Sequence, residues 1–278
     1  MISSLLKDVI GLVPWRWRRV IRKVPLIAPL QRRLLEKYLE GREFVHTVDA
    51  GPAKGLRYPI LLPEDKGIWS GTYELNLASR IADAVKPDDV CFDIGGWHGF
   101  FGGVMALAGA RRVIVFEPLP ANITRIRYMM DLNPQLPIEL INAAVGEEDG
   151  TAAFCVMPDS SMGKLATSLF QQTRPISDIV HVPLVSLDGL LNSGAIEPCS
   201  VMKIDVEGSE LFVLRSARNL LVTHRPKLFV EAHSKRLLSE CRSFLSGVGY
   251  ELDLLRPIQG DNSQQTEICH FVARAQPL

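Results

Sequence analysis

Three short strings carry side chains whose types and spacing can do chemistry. In Met202-Lys-Ile-Asp-Val-Glu-Gly208 the charged residues fall at every second position. An extended backbone would therefore turn Lys203, Asp205 and Glu207 to one side. Glu231 and His233 repeat the i, i+2 relation in Val230-Glu-Ala-His233. If the two segments are neighbouring strands, three carboxylates, an ammonium and an imidazole converge. Such a set can do three things. Asp205 or His233 can take a proton from an attacking hydroxyl, with Glu207 beside them. The same groups can hold a divalent cation that orients and acidifies that hydroxyl. Or Lys203 and Asp205 simply pair, while Glu207 and Glu210 favour the start of the next helix, each by about 0.3–1 kcal/mol. We take the first as the expectation, with Asp205, Glu207 and His233 catalytic and no resident metal.

The third string is Asp93-Ile-Gly95-Gly96-Trp97-His98-Gly99, followed by Glu117 in Val115-Phe-Glu-Pro118. Glycines directly after a strand let the backbone turn sharply and approach a ligand. An acid about 20 positions downstream is placed to accept both hydroxyls of a ribose. A dinucleotide fingerprint would need a glycine at 94, which is Ile. The pyrophosphate cradle is missing, and Asp93 would repel a phosphate yet suit a ligand that carries an amino group. His46, His181, His224 and His270 show no partner in the sequence and read as ordinary surface or core residues.

These residues need elements to hold them. Apolar runs at 90–95, 112–118, 138–146, 200–208 and 227–233 alternate with helical patterns at 99–109, 121–132, 209–221 and 237–247. Continuous apolar strands separated by helices imply a mostly parallel sheet covered on both faces. The runs 250–255 and 267–274 have no helix between them and must form an antiparallel hairpin. The result is an α/β three-layer sandwich. Ligands of such sheets sit at the carboxyl ends of the strands, where the order reverses, and that is where all three strings end.

The chain has 278 residues, 47% of them hydrophobic, with 31 basic and 31 acidic side chains. That composition suits a globular enzyme-sized protein and excludes disordered or collagen-like classes. The charge is uneven: residues 1–42 carry ten basic residues against three acids, leaving the rest acidic and poorly suited to nucleic acid. The five cysteines are scattered without a Cys-x-x-Cys pair, so neither a disulfide framework nor a zinc site is expected. No apolar run is long enough to span a membrane and the N-terminus has no secretory pattern, so a cytoplasmic location is the expectation. Residues 1–75 read as an N-terminal extension of helices and short strands, and 76–278 as the main domain. The basic segment 1–42 reads as a helical cap, broken by Pro14, Pro25 and Pro29. A peripheral contact with an anionic membrane surface is the alternative. The polar stretch 158–178 reads as a lid.

S-adenosylmethionine matches the third string, since it has a ribose, an adenine, an amino-acid end and no phosphate. The strings D-I-G-G-W-H-G, V-F-E-P-L-P, N-A-A-V-G, M-K-I-D-V-E-G-S-E and V-E-A-H, with Gly71-Thr-Tyr-Glu74 upstream, resemble the FkbM-type methyltransferases across about residues 70–235. The resemblance implies a Rossmann-like domain with a seven-stranded sheet and S-adenosylmethionine as cofactor. It places Asp93, Gly95, Gly96 and Glu117 on that cofactor, Asn142 and Ala143 near its adenine, and Glu74 at its methionine end. The family commonly has Asn where this chain has Trp97, and an aliphatic residue at His98. O-methylation of a sugar, polyketide or similar small molecule is the implied activity. A nicotinamide-dependent oxidoreductase and a non-catalytic protein of the same fold are the alternatives.

Overall fold

Alternate residues along the central strands go to opposite faces of one sheet. On β3 (Val90–Ile94), Cys91 joins one apolar cluster while Phe92 and Ile94 join another, and β4 (Arg112–Phe116) divides Val113 and Val115 from Ile114 and Phe116 in the same way. A strand buried on both faces needs helices on both sides, and the chain supplies them. The computed structural model describes residues 43–157, 163–168, 175–255 and 268–277. The basic segment 1–42 and parts of the expected lid lie outside those residues.

The sheet has the expected seven strands. With β5 (Ile138–Ile141), β10 (Val201–Ile204), β11 (Lys227–Ala232), β12 (Tyr250–Leu254) and β13 (Cys269–Ala275) joining β3 and β4, its order is β12-β13-β11-β10-β3-β4-β5, while β1 (Glu43–Thr47) and β2 (Arg57–Leu61) pair only with each other. β3, β4, β5, β10 and β11 run parallel, and β13 lies antiparallel to both β11 and β12. The order reverses between β3 and β10, so the switch point falls where the glycine string and Asp205 meet.

One face is covered by α2 (Leu75–Ala84), α3 (Phe100–Leu107) and α4 (Pro120–Leu132), after a short α1 (Lys66–Ser70). The hairpin β1–β2 packs into this same cluster through Tyr58 and Ile60. α3 is buried along nearly its whole length, and a Cβ on its Gly103 would stand 2.7 Å from Leu56 Cδ2. Glycine is the residue that lets the segment before β2 lie this close. The other face is covered by α5 (Leu187–Asn192), α6 (Glu210–Ser216), α7 (Arg218–His224) and α8 (Lys235–Gly247). Among the described residues no helix is long and apolar enough to cross a membrane.

Three local expectations are corrected. The helix expected over 209–221 is two, divided at Ala217. The backbone N–H groups of Asn219 and Leu220 donate to Asp188 on α5 at 2.7 and 3.0 Å, so a distant acid supplies the cap that starts α7. The run 138–146 does not all serve the main sheet, which takes β5 alone from it. β6 (Ala144–Val145), β7 (Gly150–Val156), β8 (Gly163–Leu165) and β9 (Asp178–Val185) make a separate four-stranded sheet in the order β6-β9-β7-β8. Its cluster of Phe154, Leu165 and Val182 packs on Leu119. Finally, β10 ends at Ile204 rather than 208, so extended alternation stops before Asp205.

Candidate active site

The site begins at the turn after β3. Gly95 has φ +79°, and a Cβ there would lie 1.8 Å from the Asp205 carbonyl oxygen, so no other residue fits. The N–H groups of Gly95 and Gly96 both donate to the Phe116 carbonyl at 3.0 Å. Lys203 donates to the Gly95 carbonyl at 3.1 Å and stands 3.5 Å from Asp93 and 3.3 Å from Asp205. Burial disfavours the Lys203 charge, but Asp205 and Asp93 outweigh it and hold the ammonium firmly protonated. Asp93 is fully buried; burial pushes its carboxyl up while Lys203 pulls it down. It lies outside the cavity lining and beside Lys203, whose ammonium it faces at 3.5 Å.

Glu117 is on the wall and 4% exposed. Its carboxylate accepts from Trp97 N–H at 2.9 Å, Leu119 N–H at 3.0 Å and Asn122 Nδ2 at 3.1 Å. Burial raises it to about 7 although those donors favour its charge. Trp97, with φ +49°, stacks on Tyr73 with ring centroids 5.7 Å apart and on His98 at 3.9 Å. The two departures from the family pattern thus stack on each other, with Trp97 on the cavity wall and His98 buried outside the lining.

A cavity of about 410 Å³ lies between these groups. Gly95, Gly96 and Glu117 line it at one side, Ala143 and Phe154 at another, and Lys203, Asp205 and Glu207 at the floor. Asn142 is exposed and outside the lining. β8 of the small sheet contributes Gly163 and Leu165 as a cover.

The floor continues into a cluster of charges. His233 Nδ1 lies 2.8 Å from Glu210 Oε1, and its Nε2 stands 3.4 Å from Glu207, 3.7 Å from Asp205 and 3.7 Å from Glu231. Burial lowers the His233 basicity, but Glu210 and the other carboxylates raise it to about 10. Glu210 Oε1 also accepts from the N–H of Gly208 at 3.0 Å. Of the two acids expected to favour the helix start, Glu210 does so; Glu207, at φ +54°, turns toward His233. The convergence expected from strict alternation is therefore reached through a left-handed turn.

Glu74, at φ +38°, enters from the start of α2, and burial together with Glu231 and Asp205 raises its carboxyl to about 7. His270 was read as ordinary, yet its Nε2 lies 2.8 Å from Glu231, which faces it across the β11–β13 pair. Nothing in the sequence gives the register of that pair, so this neighbour was not visible there.

Residues 83–252 match the methyltransferase FkbM domain. The hexuronic acid methyltransferase AglP of Haloferax volcanii is 26% identical over 176 residues, covering 61% of this chain and 69% of that protein. A crystal structure of methyltransferase FkbM from Methylobacillus flagellatus KT superposes with a TM-score of 0.47 at 17% identity, over 75% of this chain and 55% of the other. This chain thus spans little more than half of that structure's length.

Proposed function

The chain belongs to the FkbM methyltransferase family, and from that premise we propose that it moves the methyl group of S-adenosylmethionine to a hydroxyl of a sugar-type small molecule. The observation that carries this reading is the cavity wall itself. Glu117 is fixed by three donors, and Lys203, already occupied by two carboxylates and a carbonyl, is the one cation among the described lining residues. Such a wall fits a ribose and a positively charged ligand, whereas a nicotinamide dinucleotide would find nothing to neutralise its pyrophosphate. The hexuronic acid named for the archaeal relative supports a sugar as the acceptor's class.

Glu117 would hold the ribose hydroxyls, the Gly95–Gly96 turn would admit the amino-acid end, and Ala143 would border the adenine. When bound, the cofactor supplies an electrophilic methyl group on a sulfonium. Asp205 and Glu207, both on the floor, are placed to take the proton from the acceptor hydroxyl as its oxygen forms the new bond to carbon and the thioether leaves. His233 lies behind them and positions both. Alignment of the two reactants can supply about 7–11 kcal/mol of the barrier. A carboxylate base adds about 10²–10⁴ in rate.

Calorimetry with S-adenosylhomocysteine, paired with a methyl-release assay over hydroxylated sugars, tests the reading. Binding by the wild type, weakened at least about tenfold in Glu117→Ala as loss of a charged hydrogen bond requires, is the expected result. Absence of binding, or a preference for nicotinamide dinucleotides, would overturn it. Binding without turnover on any sugar would overturn the acceptor class.

A further inference from the structure

We infer that Asp205, Glu231 and His233 form a divalent-cation site at the edge of the cavity floor, with Glu210 as the group that orients the histidine. The three side chains each offer one ligand atom, all within 4.8 Å of one another. His233 Nε2 is 3.7 Å from both Asp205 Oδ1 and Glu231 Oε1. That is too long for a hydrogen bond. It is close to the separation of two ligands on one ion, since donors about 2.0–2.2 Å from a shared metal lie about 3.0–3.6 Å apart.

The surroundings point the same way. Each carboxylate divides its oxygens: Asp205 gives Oδ2 to Lys203 and Glu231 gives Oε2 to His270, and each turns the other oxygen toward His233. His233 is 4% exposed, and its Nδ1 meets the fully buried Glu210 at 2.8 Å. A histidine that gives its second nitrogen to a buried carboxylate is the usual orienting arrangement behind a metal ligand. Glu207 Oε2, 3.4 Å from His233 Nε2, and Glu210 Oε2 are both buried with no hydrogen-bond partner. Orphaned buried carboxylate oxygens are costly and call for a cation or water nearby. The charges agree: among the described residues, Glu74, Asp205, Glu207, Glu210 and Glu231 face only Lys203 and two histidines. Oxygen-rich ligands with one imidazole suit Mn²⁺ or Mg²⁺. Three protein ligands leave positions open, as catalytic ions require. Resting on the methyl-transfer reading, the ion's role would be to hold and acidify the acceptor hydroxyl at the floor, with Asp205 as its ligand and Glu207 as the floor carboxylate left to take the proton.

The full chain, stripped with a chelator and titrated with MnCl₂, tests this by the paramagnetic resonance of free Mn²⁺. A single equivalent should bind, with affinity lost in Asp205→Asn and His233→Ala and reduced about 10–100-fold in Glu210→Gln. Glu251→Gln, remote from the site, should bind as the wild type does. Far-ultraviolet circular dichroism verifies that the variants fold, and S-adenosylhomocysteine binding is measured in parallel with and without Mn²⁺. No saturable Mn²⁺ binding, or equal binding by wild type and both ligand variants, overturns the site while retained S-adenosylhomocysteine binding leaves methyl transfer standing. Mn²⁺ binding without S-adenosylhomocysteine binding has the opposite meaning: it supports the ion and overturns the transfer reading.

Discussion

Glu117 shows how a single carboxyl can be poised for a ligand. The unfolded chain ionises this group near 4.5, while in the fold burial lets it keep its proton until about 7. The ligand-free protein therefore loses stability from this group as pH rises from about 4.5 to 7. A ribose hydroxyl that donates to the carboxylate favours the charged form, so affinity for S-adenosylhomocysteine should climb through pH 7 and level off above it. Calorimetry on either side of that pH should show the climb in wild type and a flat profile in Glu117→Gln. Gly95 poses a steric requirement at the same scale. Gly95→Ala would force a methyl to 1.8 Å from the Asp205 carbonyl at a φ that side chains avoid. A loss of about 2–4 kcal/mol is expected from urea unfolding, along with loss of cofactor binding.

Elements meet this site through long-range caps and crossings that local sequence does not announce. α7 starts because Asp188, on another helix, satisfies its first N–H groups. Asp188→Ala should cost about 1 kcal/mol and lower the melting temperature by about 2–4 °C in calorimetric scans. Because no residue of α7 lines the cavity, cofactor affinity should be unchanged. At the other face, Asp65 ties the end of β2 to α4: it accepts from the Leu61 N–H at 2.8 Å and from Arg125 at 2.7 Å. Burial alone would raise this carboxyl, but hydrogen bonds from His98, Leu61 and Arg125 bring it below its ordinary value. Its stabilising contribution is present above the unfolded value near 3.8 and fades as pH falls through the lower folded one. Asp65→Asn should therefore flatten the acid limb of a stability-against-pH curve.

Across the whole molecule, two apolar clusters share one sheet, and the hairpin β1–β2 belongs to the cluster that also contains α3. Leu56, fully buried against Gly103, is the link. Leu56→Ala should cost about 2–5 kcal/mol. The whole described body should then melt earlier in a single step, seen together by far- and near-ultraviolet circular dichroism. Two separate transitions would show that the hairpin is an independent unit.

Continuous apolar strings such as Val90–Ile94 and Arg112–Phe116, with helical patterns between them, were enough to give the layered sheet and its closing hairpin. Burial of a strand on both faces leaves a continuous apolar signature that survives in one dimension. The glycine turn and Glu117 were legible for the same local reason: a sharp turn demands a particular residue at a particular place. What only the tertiary structure decided is which side chains meet. His270 reaches Glu231 by strand register, Asp93 meets Lys203 from the neighbouring strand, and Glu207 reaches His233 through a left-handed turn that ended the expected alternation. The small sheet β6-β9-β7-β8 was likewise hidden, because short strands take their partners from distant hydrogen bonds and not from their own periodicity.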